Sequence, residues 1–248
     1  RSEPPANCLA VIVFWALLVT QWLDRERAYS PQRAWETLLA YLLAGLAVAA
    51  LAVDNFLARI ILLDLLSLLT TAALWPTLSR AGSLLWRRYL AFRLGDLLLL
   101  AMVLWLSASA GTLQISALLA TAVTLASGPA RWIALLGVFA SWIKLGLPPF
   151  HSWVDDAWRL QRPTRALALG VGLPLLGAYL LYRLQPTLIA GRMRSPLNIV
   201  GVLAMLWGLF SPRRHGTVGQ CLLVTHAALA PLLVGTGAFP IYLLTFTP

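Results

Sequence analysis

Apolar runs as long as Leu38–Val53 and Leu97–Leu106 recur along the whole chain, and no aqueous core could hide all of them. Hydrophobic residues make up 60% of the 248 positions and charged residues 11%, where a soluble domain carries about a quarter charged. A spanning helix needs roughly 20 mostly apolar residues, so the chain supplies about seven or eight spans and little else. The expectation is an all-α integral membrane protein, a single transmembrane domain over residues 1–248 with no separate soluble domain.

The runs are Cys8–Leu23, Trp35–Val53, Phe56–Leu78, Tyr89–Ser107, Arg131–Leu147, Ala166–Tyr182, Leu197–Phe210 and Val218–Leu244. Between the fourth and fifth, Ala108–Ala130 is small and polar enough for a lateral helix or a loop. Pro148-Pro149 removes two backbone donors and must break a helix, so residues 131–183 are expected to form one discontinuous crossing, broken between Leu147 and Pro163. On that count Arg25, Arg27, Arg33, Arg80, Arg87, Arg88, Arg183, Arg192 and Arg194 fall on one face. Only Arg131, Arg213 and Arg214 fall on the other. Flanking positive charge marks the cytoplasmic side, which puts the Arg-rich loops in the cytoplasm of a prokaryotic-type inner membrane.

The net charge of +10 does not signal a nucleic-acid partner, because the arginines cluster in gaps between runs and form no basic face. Cys8 and Cys221 both lie in apolar runs, and the His, Cys and carboxylate spacings suggest no metal, no cofactor and no nucleophile–base arrangement.

The informative residues are ionisable groups inside the runs. Lys144 is the single lysine among eighteen arginines, in WIALLGVFASWIKLGLPPF beside the break. A charge at that depth costs several kcal/mol, and a lysine, unlike an arginine, can readily give up its proton there. Snorkelling to the interface is the plain alternative. Asp64 lies between apolar neighbours and needs a partner, a proton or water. Arg59, five residues away, points to a different face of that helix. Arg93 and Asp96 are three apart and can form a structural ion pair. His151, Asp155 and Asp156 follow the break, and a relay through Lys144 and His151 is chemically possible. The plain alternative is that residues 150–162 are a polar surface loop.

Three segments, in order, resemble the antiporter-like, proton-translocating membrane subunits of respiratory complex I. Relatives of that family include Mrp cation/proton antiporter subunits and DabB-type subunits of inorganic-carbon uptake systems. DNFLARIILLDLLSLLTT places Asp64 at the family's interval from Asp54-Asn55 to an essential glutamate. YLAFRLGDLLLLAM is similar to the family's Asn-Arg-Val-Gly-Asp helix start and supplies Arg93, Gly95 and Asp96. WIKLGLPPFHSWVDDAW is similar to its broken helix and supplies Lys144, Pro149, Trp153 and Asp156.

The resemblance implies a five-helix antiporter-like repeat over residues 35–183, with degenerate helices over 184–248. It also implies a half-channel in which Asp64 and Lys144 form a charge pair whose shift moves a proton, with His151 and Asp156 on the same path. Asp64 is one methylene shorter than the family's glutamate, and Leu63 stands for its tryptophan. Arg165 replaces a proline, no histidine follows in the next run, and Gly216 falls near a family lysine. The family's second, inverted repeat would lie beyond Pro248. The implied role is a subunit, not itself an enzyme, of a complex that passes H⁺ or Na⁺ to energise a partner. That partner is either a redox complex or a bicarbonate/CO₂ uptake complex. The alternative is a scaffold subunit that has lost transport.

Overall fold

The computed structural model describes residues 4–23, 31–78, 82–158, 172–210 and 218–236, and the described residues hold eleven helices. Five precede the break: α1 (Pro4–Leu23), α2 (Pro31–Ala52), α3 (Phe56–Leu78), α4 (Gly82–Ala110) and α5 (Ile115–Thr124). Next come α6 (Ser127–Leu145) and α7 (Ser152–Ala157) on either side of it. Four more complete the described chain: α8 (Leu173–Arg183), α9 (Gln185–Ala190), α10 (Arg194–Phe210) and α11 (Val218–Thr236). Segments within α2, α3 and α4 are long and apolar enough to cross a membrane: Ala34–Ala52, Phe56–Trp75 and Trp86–Ala110.

The bundle is apolar outside as well as inside. Leu97 is 63% exposed and Phe210 81%, while Leu66, Leu99 and Met102 are fully buried. In water such a surface would aggregate; against lipid it carries no penalty. Trp35, Trp75 and Trp86 are exposed at one end of α2–α4, next to Arg87 and Arg88, and Trp132 is exposed at the opposite end. Indoles at both ends match the aromatic belts of a bilayer interface.

Asp54-Asn55 closes the α2–α3 turn. The Asn55 side chain accepts the Ala58 amide at 3.1 Å and caps α3. Phe56 N–H donates to Leu113 O (2.9 Å) and Ile115 N–H to Asp54 O (3.0 Å), tying this turn to the entry of α5. The small, polar stretch 108–130 therefore holds the end of α4, the short α5 and the start of α6. Arg59 turns back from α3 to donate to the carbonyls of Leu51 (3.2 Å) and Val53 (2.6 Å), so it satisfies the end of α2 and stays off Asp64.

The break falls one residue before the position read from the prolines. Gly146 adopts φ +68°, its amide donates to Ile143 O (3.1 Å), and the Leu147 amide donates to Trp142 O (3.3 Å). This is a Schellman end, and it stops α6 before the cis Pro148-Pro149 bond is reached. The expected discontinuous helix is present as α6 and α7 on either side of the break, but the crossing does not extend to 183. A Cβ on Gly177 of α8 would lie 3.1 Å from Ser141 O, Leu184 packs on Gly137, and Gly191 packs on Arg131. As the chain advances from 177 to 191 it thus passes α6 residues in falling order, so α8 and α9 return antiparallel along α6. Arg192 and Arg194 consequently share the end of Arg131, opposite Arg87 and Arg88, and the sorting of arginines by face changes accordingly. Past the break α7 keeps the direction of α6, with Trp153 on Phe92 and Asp156 on Arg88, so the prolines interrupt the crossing and the chain turns back only between residues 158 and 172. Arg213 and Arg214 lie outside the described residues.

Gly146→Ala is expected to destabilise the purified protein by about 2 kcal/mol or more, since αL geometry alone costs a non-glycine residue roughly 1–2 kcal/mol. The new methyl would also sit 2.4 Å from Val154. Gly45→Ala, where a Cβ meets nothing within 4 Å, should be neutral or slightly stabilising. Unfolding midpoints in detergent would check the pair, and equal effects would contradict the cap.

Candidate ion-translocation site

Three helices meet at Lys144. The residue occupies the last turn of α6, where its charge complements the carbonyl end of the helix. Its side chain is 1% exposed, and Nζ donates to Asp96 Oδ1 on α4 at 2.6 Å and to Ser67 Oγ on α3 at 3.0 Å. Ser67 is itself satisfied, donating to Leu63 O at 2.9 Å. Snorkelling is therefore excluded, because the ammonium points into the bundle.

Asp96 also faces a second cation. Arg93 Nη2 lies 3.5 Å from its Oδ2, one turn back along α4, and Arg93 Nη1 donates to Asp64 Oδ1 on α3. Arg93 Nη2 further donates to Asp64 O at 3.2 Å. The order in space is thus Asp64, Arg93, Asp96, Lys144: alternating charges across three helices. The direct Asp64–Lys144 pair implied by the resemblance is absent, and Arg93 and Asp96 stand between the two. Asp96 lies ten residues from Trp86, about 15 Å at the helical rise, which is near the centre of a hydrocarbon core roughly 30 Å thick.

The two ends of this row differ. Lys144 is sealed, whereas the Asp64 side chain is 32% exposed. It lines a groove of about 430 Å³ between α3 and α4, together with Ile61, Arg93, Asp96, Leu97 and Leu100. Asp64 therefore looks out of the described bundle, not into its centre.

His151 and Asp156 lie apart from the row. Asp156, on α7, is buried and its Oδ2 accepts from Arg88 Nε at 2.8 Å, pinning α7 to α4. His151 begins α7 with its ring centroid 4.3 Å from that of Trp207 on α10. The break itself is braced by indoles: Trp153 Nε1 donates to Ile143 O (3.1 Å) and Trp142 Nε1 to Pro148 O (2.7 Å). Sequence reading overlooks Ser67, although it lies one turn from Asp64 on the same face. It also overlooks Arg88, for which no local signal exists because its partner is 68 residues away.

Residues 39–212 match the family model described as NADH:quinone oxidoreductase/Mrp antiporter, transmembrane. The chain belongs to this family. Its fold is shared with a chain of the archaeal membrane-bound sulfane sulfur reductase, a respiratory membrane complex, at TM-score 0.79 and 16% identity. That match covers 96% of this chain and 52% of the other. A chain of respiratory complex I from Thermus thermophilus matches at TM-score 0.66 and 19% identity, over 95% and 50% of the two chains. The chain therefore spans about half the length of these relatives, and at such identities the likeness establishes fold. No curated protein matches the sequence. Membership makes the chain a membrane antiporter-like subunit, and places Asp64, Arg93, Asp96 and Lys144 within the matched region.

The Arg88–Asp156 pair gives a direct test of how α7 is held. Arg88→Leu or Asp156→Leu alone should cost about 3 kcal/mol, because each strands a charge in the bundle. The double substitution should cost clearly less than the sum. Additive losses in a double-mutant cycle would mean that the pair does not hold α7.

Proposed function

We propose that this chain is the ion-conducting membrane subunit of a larger complex, supplying a proton (or Na⁺) half-channel that couples an ion gradient to a partner's work. The observation that carries the reading is the sealed Lys144–Asp96 pair, joined through Arg93 to the more open Asp64. The half-channel would be built on residues 35–183, with 184–248 as flanking helices.

The geometry suggests how one proton displaces another. With Asp64 ionised, it holds Arg93, and Asp96 is left to Lys144. A proton arriving at Asp64 from the α3–α4 groove removes the counter-charge of Arg93. Arg93, already 3.5 Å from Asp96, then turns fully to it. Lys144 loses its counter-ion, and an unpaired ammonium in so dry a place is unfavourable relative to the amine. Lys144 then releases a proton, and reionisation of Asp64 resets the row. His151 and Asp156, beyond the break, belong on the exit side of such a path, with Asp156 fixing α7 through Arg88.

A carboxylate opening from the side of a bundle at mid-depth requires water or protein beside it, which supports a role among other subunits. Redox complexes and bicarbonate/CO₂ uptake complexes are the two partner classes for such a subunit, in a prokaryotic-type inner membrane. Catalysis would belong to the partner. The missing histidine after the break favours the scaffold alternative, and transport per assembled complex separates the two readings. Lys144→Ala, Asp96→Asn and Asp64→Asn should each abolish gradient-coupled activity, at least tenfold, with partner recovery unchanged. Lys144→Arg should fail as well, since a guanidinium keeps its proton. Normal activity per complex in Lys144→Ala and Asp64→Asn would leave only the scaffold.

A further inference from the structure

We propose that the cleft between α6 and α10 holds one anionic phospholipid, with its headgroup on Arg131, Arg192 and Arg194 and an acyl chain against the break. The cleft has a volume of about 410 Å³ and is lined by Leu135, Phe139, Trp142, Pro148, Met193 and Leu197. The wall offers no donor to a polar ligand, because the Trp142 indole N–H is already given to Pro148 O. Phe139 and Val200 on its rim are 51% and 46% exposed, so the cleft opens on the lipid-facing side of the helices.

Its length suits a lipid tail. From Leu135 to Leu145, the end of α6, the helical rise amounts to about 15 Å, equal to about 15 Å for the hydrocarbon of one leaflet. The cleft begins at the bundle end where Gly191 packs on Arg131 and reaches the break at mid-depth. Met193, which lines it, sits between Arg192 and Arg194. Arg131 and Arg192 are exposed there, and Arg192 has φ +53°. Among the described residues no carboxylate forms an ion pair with any of the three. Arg194 moreover opens α10, where a cation is disfavoured by the helix dipole and an anion beside it is welcome. Three uncompensated cations above an apolar slot of leaflet depth call for a phosphate on a hydrocarbon chain. The occupant would press on Phe139, Trp142 and Pro148, and so stiffen the segment that positions Lys144.

The test is native mass spectrometry of the full chain, released from mixed micelles of detergent with equal phosphatidylglycerol and phosphatidylcholine. The wild type should retain one phosphatidylglycerol at least tenfold over phosphatidylcholine. Each arginine near a membrane surface contributes about fivefold to such binding, so Arg192→Gln/Arg194→Gln should abolish the preference. Arg87→Gln, at the opposite end, should leave it intact. Val200→Trp, at an exposed rim position, should fill the cleft and remove the retained lipid of either kind. Equal retention of the two lipids by the wild type would overturn the proposal. So would an equal loss of preference in Arg87→Gln, or a dimer of this chain with no lipid retained.

Discussion

A lysine ammonium bonded to a carboxylate near the centre of a bilayer is the constraint to which the rest of the bundle answers. Moving either charge there alone costs several kcal/mol, and losing one partner strands the other. The pair is therefore tolerable only if α3, α4 and α6 come together at one level and stay there. Small residues allow that approach. A Cβ on Gly137 of α6 would fall 2.8 Å from Met102 of α4, and one on Gly95 of α4 would meet Ile143 of α6 at 3.5 Å. Without a hydrophobic force between helices in lipid, such close backbone packing is what holds them. Hydroxyls complete the arrangement: Ser67, Thr70, Thr71 and Ser141 each donate to the carbonyl four residues back, so none is left bare beside the charges.

Asp96 distinguishes this arrangement from a simple ion pair. It is shared between Lys144 at 2.6 Å and Arg93 at 3.5 Å, and Arg93 is shared in turn with Asp64. A structure in which one anion serves two cations, and one of those cations serves two anions, has an alternative pairing within reach. Switching between them requires a side-chain rotation and no movement of the helices. That matches the rigidity of the site, where Trp153 and the Schellman end hold the last turn of α6 in place.

Much of the fold is legible in the sequence because apolar length decides it. Phe56–Leu78 is a helix with the boundaries of its apolar run, and α6 stops within a few residues of Pro148-Pro149, where a helix could not continue. The return of α8 along α6 is not legible, since one apolar run interrupted by prolines and two runs packed antiparallel look alike in one dimension. Within the site, the importance of Lys144, Asp64, Arg93 and Asp96 can be read from charges in apolar runs and from family resemblance. Their pairing cannot. Asp96 lies 48 residues from Lys144, and only the packing of α4 on α6 at Gly95 and Ile143 decides that they meet. The separate lodging of Asp156 with Arg88 has the same origin.

Lys144 is the single lysine of the chain, so 15N labelling of lysine yields one side-chain resonance, and that resonance reports its protonation directly. The decisive measurement is the Nζ signal of Lys144 in membranes at neutral pH, in the wild type and in Asp64→Asn, which mimics a protonated Asp64. If Arg93 trades Asp64 for Asp96, the wild type shows an ammonium and Asp64→Asn shows the neutral amine. An ammonium resonance of unchanged shift in both proteins would contradict the coupling of Asp64 to Lys144.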